Sequence, residues 1–267
     1  MHRPQPHAQH PSLPHRHHNA GRFANATPAR TDLLDVLRGS AIALMFVYHF
    51  CYDLTYYGLA QFDFYHGPFW PYFRLVIVSS FLFIVGISLH LATRHGLNAR
   101  RFGRRLAWLL SYAALVSLGS YLLFAERWIF FGILHFIAVA SVAGLWFSRY
   151  RWLNLWLGLA LILLGSQWTH PLFDHPLLQW LGMVTRLPAT EDYVPLLPWF
   201  GVVLLGMFCG KQLFTQSPPP AMLHWQPQGP LARLLALAGR HSLHIYMLHQ
   251  PLFLAMLYPV SLLIGRG

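Results

Sequence analysis

Seven long apolar runs constrain this chain more than any other feature of its sequence. A helix needs about 20 predominantly apolar residues to cross the hydrocarbon core of a bilayer, and the runs come close to that length. Of all residues, 55% are hydrophobic and only 10% are charged, whereas soluble domains carry roughly 25% charged residues. We therefore predict an all-α, polytopic membrane helix bundle of about seven transmembrane helices, near residues 33–54, 70–93, 103–124, 129–148, 152–168, 195–215 and 241–263.

The basic residues between these runs predict the orientation of the bundle. If every run spans the membrane, 15 of the 19 Lys and Arg residues fall on one face, and six of the eight Asp and Glu residues fall on the other. By the positive-inside rule, the N-terminus is cytoplasmic and the C-terminus lies outside. Since topology accounts for the net charge of +11, we expect contact with membrane lipid and no nucleic-acid partner.

Two segments lie outside the predicted spans. Residues 1–30 are rich in His and Pro and contain no apolar run, so we predict a disordered cytoplasmic tail, followed by one transmembrane domain over residues 31–267. The connection over residues 169–194 is polar and interrupted by Pro, and we expect it to fold over the outer mouth of the bundle or dip into it. No Cys or His pair has the spacing of a zinc site, so no metal is expected.

The first span carries three charged or titratable residues, Arg38, His49 and Asp53. Arg38 and His49 are eleven residues apart, which is about 16 Å along a helix and nearly the same face. Asp53 follows His49 at the i+4 position, where its carboxylate could orient the imidazole as a general base. The alternative is that Arg38 anchors the helix to lipid headgroups while the other two residues cap its outer end in water. Ionisable groups inside membranes are usually functional, which favours a catalytic role for the His49–Asp53 pair.

Three further polar side chains are predicted to line the cavity of the bundle. His249 lies near mid-membrane just before Pro251, which frees a backbone carbonyl, and Tyr246 precedes it by one helical turn. His135 lies about two turns below the outer surface, where it could line the cavity or hydrogen-bond a neighbouring helix. The sequence favours neither reading for His135.

Five motifs together resemble the catalytic-domain family of heparan-alpha-glucosaminide N-acetyltransferase. The resemblance extends over residues 30 to 258, nearly the whole membrane part of the chain. The motifs are DLLDVLRGSAIALMFVYHFCYDL, FLFIVGISL, FFGILHFIA, DYVPLLPWFGVVLLG and GRHSLHIYMLHQP.

This resemblance implies an enzyme of a bacterial cytoplasmic membrane that transfers an acetyl or short acyl group. The implied donor is cytoplasmic acetyl-CoA or another acyl-CoA, and the implied acceptor is an amino sugar or glycan on the far side of the membrane. His66 in the first outer connection matches the position of the family's catalytic His. The phosphates of the donor would bind to basic residues at the cytoplasmic ends of the first and third spans, namely Arg38, Arg101, Arg104 and Arg105.

The chain is also similar to the acyltransferase-3 membrane enzymes, in which an Arg is followed by a His at the spacing of Arg38 and His49. The two resemblances agree on acyl transfer but differ on whether His49 or His66 is the catalytic base. A proton-coupled transporter or flippase is the alternative function, because His and Asp side chains inside a membrane can also relay protons. A second copy of the chain, forming a homodimer, is a further partner that we consider.

Overall fold

The computed structural model describes residues 31–64, 66–216, 218 and 220–264, so the predicted tail over residues 1–30 lies outside the described residues. The described part contains eight α-helices and no strand, which confirms the prediction of an all-α bundle. The helices are α1 (Asp32–Tyr56), α2 (Phe69–Thr93), α3 (Ala99–Leu123), α4 (Ile133–Phe147), α5 (Trp152–Gln167), α6 (Leu196–Phe214), α7 (Gly229–Arg240) and α8 (Ser242–Ile264).

Each of the seven predicted runs coincides with one of these helices. Five of them, α1, α2, α3, α6 and α8, are long and apolar enough to cross a membrane. The apolar helices α4 and α5 are shorter, with 15 and 16 residues. The chain is therefore an integral membrane protein, while the count of seven spans and the orientation remain predictions. We call the end of the bundle where α1 finishes the outer end, after the predicted topology, and the opposite end the inner end.

Helix α7 was not predicted, because at 12 residues it is too short to be recognised as a span. It packs along the first half of α1 in the antiparallel direction, since Gly39 lies against Leu235 and Gly239 lies against Asp35. A Cβ atom on Gly39 would lie 1.9 Å from the Leu235 carbonyl oxygen, and one on Gly239 would lie 1.8 Å from that of Asp35. Only glycine at these two positions allows the two backbones to approach so closely.

Helices α2 and α6 cross in parallel at the centre of the bundle, with glycine at the contact. A Cβ atom on Gly86 would lie 2.1 Å from the Val203 carbonyl oxygen, and one on Gly206 would lie 2.1 Å from that of Phe83. Lipid tails are as apolar as the side chains, so close packing of small residues contributes much of the association between membrane helices. Around this crossing the side chains of α2, α4 and α6 form the fully buried core, including Leu82, Phe136, Ala140, Val203, Leu204 and Met207.

The connection from α5 to α6 is irregular, as expected, with short 3₁₀ turns at Pro171–Asp174 and Gln179–Leu181. Its last residues run beside the segment that leads into α4. The Glu191 amide donates to the Arg127 carbonyl at 3.1 Å, and the Val194 amide donates to that of Phe131 at 3.3 Å. This connection therefore places Glu191 and the following residues against the outer end of the bundle.

We predict that Gly206→Ala lowers the thermal unfolding midpoint of the purified protein. The added methyl group clashes with the Phe83 carbonyl, and overpacking of this kind costs about 1–3 kcal/mol. Gly119 in α3 is the matched control, because a Cβ atom there meets nothing within 4 Å. Gly119→Ala should leave the midpoint unchanged or raise it, since Ala favours helix over Gly by about 0.5–1 kcal/mol. Equal shifts for the two variants would contradict the close crossing of α2 and α6.

Candidate active site

Two histidines from different helices meet in the outer half of the bundle. His49 of α1 and His249 of α8 have ring centroids 4.9 Å apart in an edge-to-face arrangement. Helix α8 packs against α1, and only 4% of His249 is exposed. Phe46 stacks on the His249 ring at 5.5 Å, and Phe253 meets its edge at 5.9 Å. Aromatic rings on both helices thus fix the orientation of the His249 imidazole.

The hydrogen bonding of His249 assigns its tautomer. Its Nδ1 atom lies 2.5 Å from the carbonyl oxygen of Tyr246. A carbonyl oxygen can only accept a hydrogen bond, so Nδ1 carries the proton and Nε2 of the neutral ring carries a lone pair. The Nε2 atom is buried and has no hydrogen-bond partner in the described part of the chain. Such a lone pair can accept a hydrogen bond, and then a proton, from a substrate group.

The Asp53 carboxylate does not form the predicted hydrogen bond to His49. Instead, Nε2 of Gln250 donates to both of its oxygens, at 2.8 and 3.0 Å. Asp53 is 2% exposed. The Gln250 amide of α8 therefore takes the place that His49, four residues earlier on α1, was expected to take as the partner of this carboxylate. The other amide atom, Oε1 of Gln250, is buried without a partner in the described residues. The sequence signal for Gln250 was its place directly after His249 in an apolar helix.

Arg74 supplies a positive charge near His49. Its Nη2 atom donates to the Tyr193 carbonyl oxygen at 3.0 Å, which ties α2 to the α5–α6 connection. The Arg74 charge acts on both His49 and Tyr246. The Tyr246 ring lies 5.4 Å from that of His249, so this predicted cavity residue does adjoin the histidine pair. The sequence marked Arg74 only as one of the few basic residues at the outer end.

Two acidic residues of the α5–α6 connection, Asp192 and Glu191, form contacts at the outer end of the bundle. Asp192 Oδ2 accepts a hydrogen bond from the Ile133 amide at 2.8 Å and so caps the N-terminus of α4. Burial raises the pKa of the Asp192 carboxyl, whereas the Arg74 charge and the Ile133 amide act to lower it. Glu191 pairs with Arg127 at 3.0 Å. These contacts fix the end of the connection beside the histidine pair.

His66 occupies a different environment from His49. Its side chain is 90% exposed, and its Nδ1 atom lies 3.1 Å from Oδ1 of Asp63, whose side chain is 56% exposed. The carboxylate-held histidine expected within α1 thus occurs in the outer connection between α1 and α2. The same Asp63 oxygen accepts from the His66 backbone amide at 2.7 Å, so both groups belong to one solvent-facing turn.

His135 forms hydrogen bonds to its neighbours rather than facing the histidine pair. Its Nδ1 atom accepts from the Gly132 amide at 3.3 Å, so the proton lies on Nε2, which donates to Ser117 Oγ at 3.0 Å. Ser117 in turn donates to the Ile129 carbonyl oxygen at 2.6 Å. Of the two readings left open by the sequence, these contacts support the hydrogen bond to a neighbouring helix, here between α4 and α3.

At the inner end, Arg38 joins α1 to α2. It donates to Asp35 at 2.9 Å and to the hydroxyl of Ser88 at 2.7 Å. Arg240 of α7 pairs with Asp32 at 2.8 Å and with Asp35 at 3.4 Å. These contacts hold α1, α2 and α7 together. Arg38 therefore has a structural role in addition to any role as an anchor to lipid headgroups.

The three predicted arginines of α3 lie on exposed positions. Arg105 comes close enough to Arg38 for the two positive charges to repel each other. Arg101 and Arg104 are exposed on the first turns of the helix, near the inner end. No group of three His, Cys, Asp or Glu side chains that could hold a metal ion occurs within the described ranges.

Comparison with known protein families gives one match. The family model described as "Heparan-alpha-glucosaminide N-acetyltransferase, catalytic" matches residues 30–251. This range runs from the start of α1 into α8 and includes Arg38, His49, His66 and His249. No curated protein and no solved structure matches the chain significantly.

We predict that Asp53 and Gln250 stabilise the fold as a coupled pair. Asp53→Leu leaves the Gln250 amide without its acceptor, and Gln250→Leu leaves a buried carboxylate without its donor, so each should cost about 1–3 kcal/mol. The double variant should cost less than the sum, because it leaves neither group unpaired. Thermal or denaturant unfolding of the four proteins measures this coupling. Strictly additive losses would show that the two side chains do not depend on each other.

Proposed function

The chain belongs to the catalytic-domain family of heparan-alpha-glucosaminide N-acetyltransferase, and from this premise we propose a specific reaction for this membrane acetyltransferase. It transfers an acetyl or short acyl group from cytoplasmic acyl-CoA to an extracytoplasmic acceptor. The acceptor is a sugar or glycan that presents an amine or a hydroxyl group. The protein acts in the cytoplasmic membrane of a bacterium, with its inner end in the cytoplasm.

The observation that carries this proposal is a pair of buried acceptor atoms without donors, one of which belongs to the histidine in contact with His49. Nε2 of His249 and Oε1 of Gln250 belong to adjacent residues, and neither has a donor in the described part of the chain. A buried acceptor without a partner costs about 1–3 kcal/mol. A substrate that brings N–H or O–H groups removes this cost, and amines and sugar hydroxyls are such groups. The site therefore favours a substrate rich in hydrogen-bond donors.

In the proposed reaction, the His49–His249 pair takes the proton of the acceptor. The acceptor nitrogen or oxygen forms a bond to the thioester carbonyl carbon as its proton passes to an imidazole nitrogen. The carbon–sulfur bond then breaks, and the CoA thiolate leaves and takes the proton from the imidazolium, which restores the base. Arg74, whose charge acts on His49, stabilises the negative charge that develops on the carbonyl oxygen.

The donor reaches this pair along α1. Arg38 and Arg105 at the inner end bind the phosphates of the CoA, assisted by the exposed Arg101 and Arg104. Arg38 lies eleven residues from His49, or about 16 Å along the helix axis. An extended pantetheine arm is of this length scale, so the thioester can reach the histidines while the nucleotide stays at the inner end.

We predict that His49→Ala and His249→Ala each lower acyl transfer by roughly 10²-fold or more, as expected for loss of a general base. The measurement is transfer of labelled acetyl groups from acetyl-CoA to amino-sugar and neutral-sugar acceptors by protein in lipid vesicles. His95→Ala is the matched control, because His95 is an exposed histidine at the inner end. Each variant must also keep the unfolding midpoint of the wild type, so that a loss of activity is not caused by a loss of folded protein.

Two outcomes would overturn parts of this proposal. If His66→Ala abolished transfer while His49→Ala and His249→Ala kept the wild-type rate, the base would be the His66–Asp63 pair of the outer connection. If the protein consumed no acetyl-CoA but moved a polar solute across the vesicle membrane in response to a proton gradient, it would be a transporter.

A further inference from the structure

A second group of basic residues meets at the inner end, away from Arg38, and the mechanism above does not use it. We call it the inner cationic cluster, and it contains Arg94, Arg149, Arg151 and Lys211. Arg94 follows the last residue of α2, Lys211 lies in the last turn of α6, and the other two lie in the turn between α4 and α5. The inner ends of α2 and α6 and the turn between α4 and α5 therefore bring four positive charges to one region.

Contacts within the cluster connect its members. Lys211 Nζ donates to the Arg149 carbonyl oxygen at 2.8 Å, and Arg151 Nη2 donates to the side-chain oxygen of Gln212. On the other side of α6, the charges of Lys211 and Arg94 both act on the buried His90. Lys211 thus links the α2 side of the cluster to the α4–α5 side.

No carboxylate neutralises this cluster. The chain contains eight Asp and Glu residues, and all of them lie in the described part. Asp32 and Asp35 are the two at the inner end, and they pair with Arg38 and Arg240. The remaining six lie in the outer half of the bundle or its outer connections. The charges of the inner cationic cluster therefore repel one another with no protein anion to offset them.

Two buried donor atoms in the cluster point to a missing ligand. Nε of Arg94 and Nε of Arg151 are buried and have no acceptor among the described residues. Both arginines are half-buried, whereas residues that serve only as flanking anchors extend their polar ends into water. The Arg94 guanidinium lies 5.5 Å from the Phe214 ring centre, and that of Arg151 lies 5.0 Å from the Trp152 ring centre. The aromatic rings offset part of the cost, but an aromatic ring supplies no acceptor oxygen.

The surroundings indicate where the missing anion comes from. Trp152 is 57% exposed and Trp156, one turn further along α5, is 65% exposed. Exposed Trp side chains on a membrane helix mark the headgroup region of the bilayer. Basic pockets between helices at the cytoplasmic side of a membrane are suited to the phosphate of an anionic lipid.

We propose that the inner cationic cluster binds the phosphate of an anionic phospholipid headgroup. The headgroup lies at the inner end of α6, where its phosphate offsets the charge of Lys211 and accepts hydrogen bonds from the neighbouring guanidinium groups. The bound lipid then bridges the inner ends of α2, α5 and α6. This role is independent of acyl transfer, because the cluster lies on the α6 side of the bundle and Arg38 lies on the α1 side.

The test is a titration of the purified protein with phosphatidylglycerol, with bound lipid counted by native mass spectrometry. Arg94→Gln/Arg151→Gln should weaken binding by roughly fivefold for each cation removed, or roughly 25-fold in total. The matched control, Arg100→Gln/Arg233→Gln, removes the same charge from exposed inner positions and should bind as the wild type does. Equal loss in both variants, or equal binding of phosphatidylcholine by the wild type, would overturn the proposal.

Two further measurements keep the proposal testable if the double variant does not fold. A phosphatidylglycerol analogue with a photoreactive headgroup should label residues 90–94, 149–152 or 211–214 of the wild type, and labelling confined to other segments would contradict it. Titration with CoA distinguishes the second source of phosphate. If CoA protected these segments and competed with the lipid, the cluster would belong to the donor site.

Discussion

Polar groups inside this bundle keep their places because other helices supply their partners. The interior of a bilayer offers no water, so each buried donor or acceptor must find a partner within the protein or accept a free-energy cost. Gln250 of α8 holds Asp53 of α1, Ser88 of α2 holds Arg38 of α1, and Asp192 caps α4. These bonds join different elements of the bundle, so they fix the relative positions of the elements as well as the side chains.

Helix α1 collects most of these interhelical bonds. Near its start it is bonded to α2 and α7, and near its end it is bonded to α8. The glycine contacts with α7 bring the inner half of α1 close to a second backbone, while aromatic rings surround the outer half. One rigid helix thus carries Arg38 at one end and His49 near the other. The distance between them is set by helix geometry and does not depend on loop conformation.

The sequence predicts the helices of this fold well because the hydrophobic signal is local. Each of the seven runs became a helix, whereas α7, whose stability depends on glycine contacts with α1, gave no span-length signal. The site is less predictable, because its bonds join residues far apart in the chain. Asp53 was expected to bond with His49 one turn away, but Gln250 lies 197 positions further on and takes that place. Arg74 and Asp192 were missed for the same reason.

Two groups of basic residues at the inner end satisfy their charges in different ways, and this difference separates the proposed CoA site from the proposed lipid site. At the start of α1, Arg38 and Arg240 have carboxylate partners, so their remaining donors can exchange between protein and a transient ligand such as a CoA phosphate. Around the inner end of α6, the four cations of the inner cationic cluster have no carboxylate partner. A transient ligand would leave those charges unbalanced in every cycle of turnover. A resident phosphate, held for the lifetime of the fold, balances them throughout.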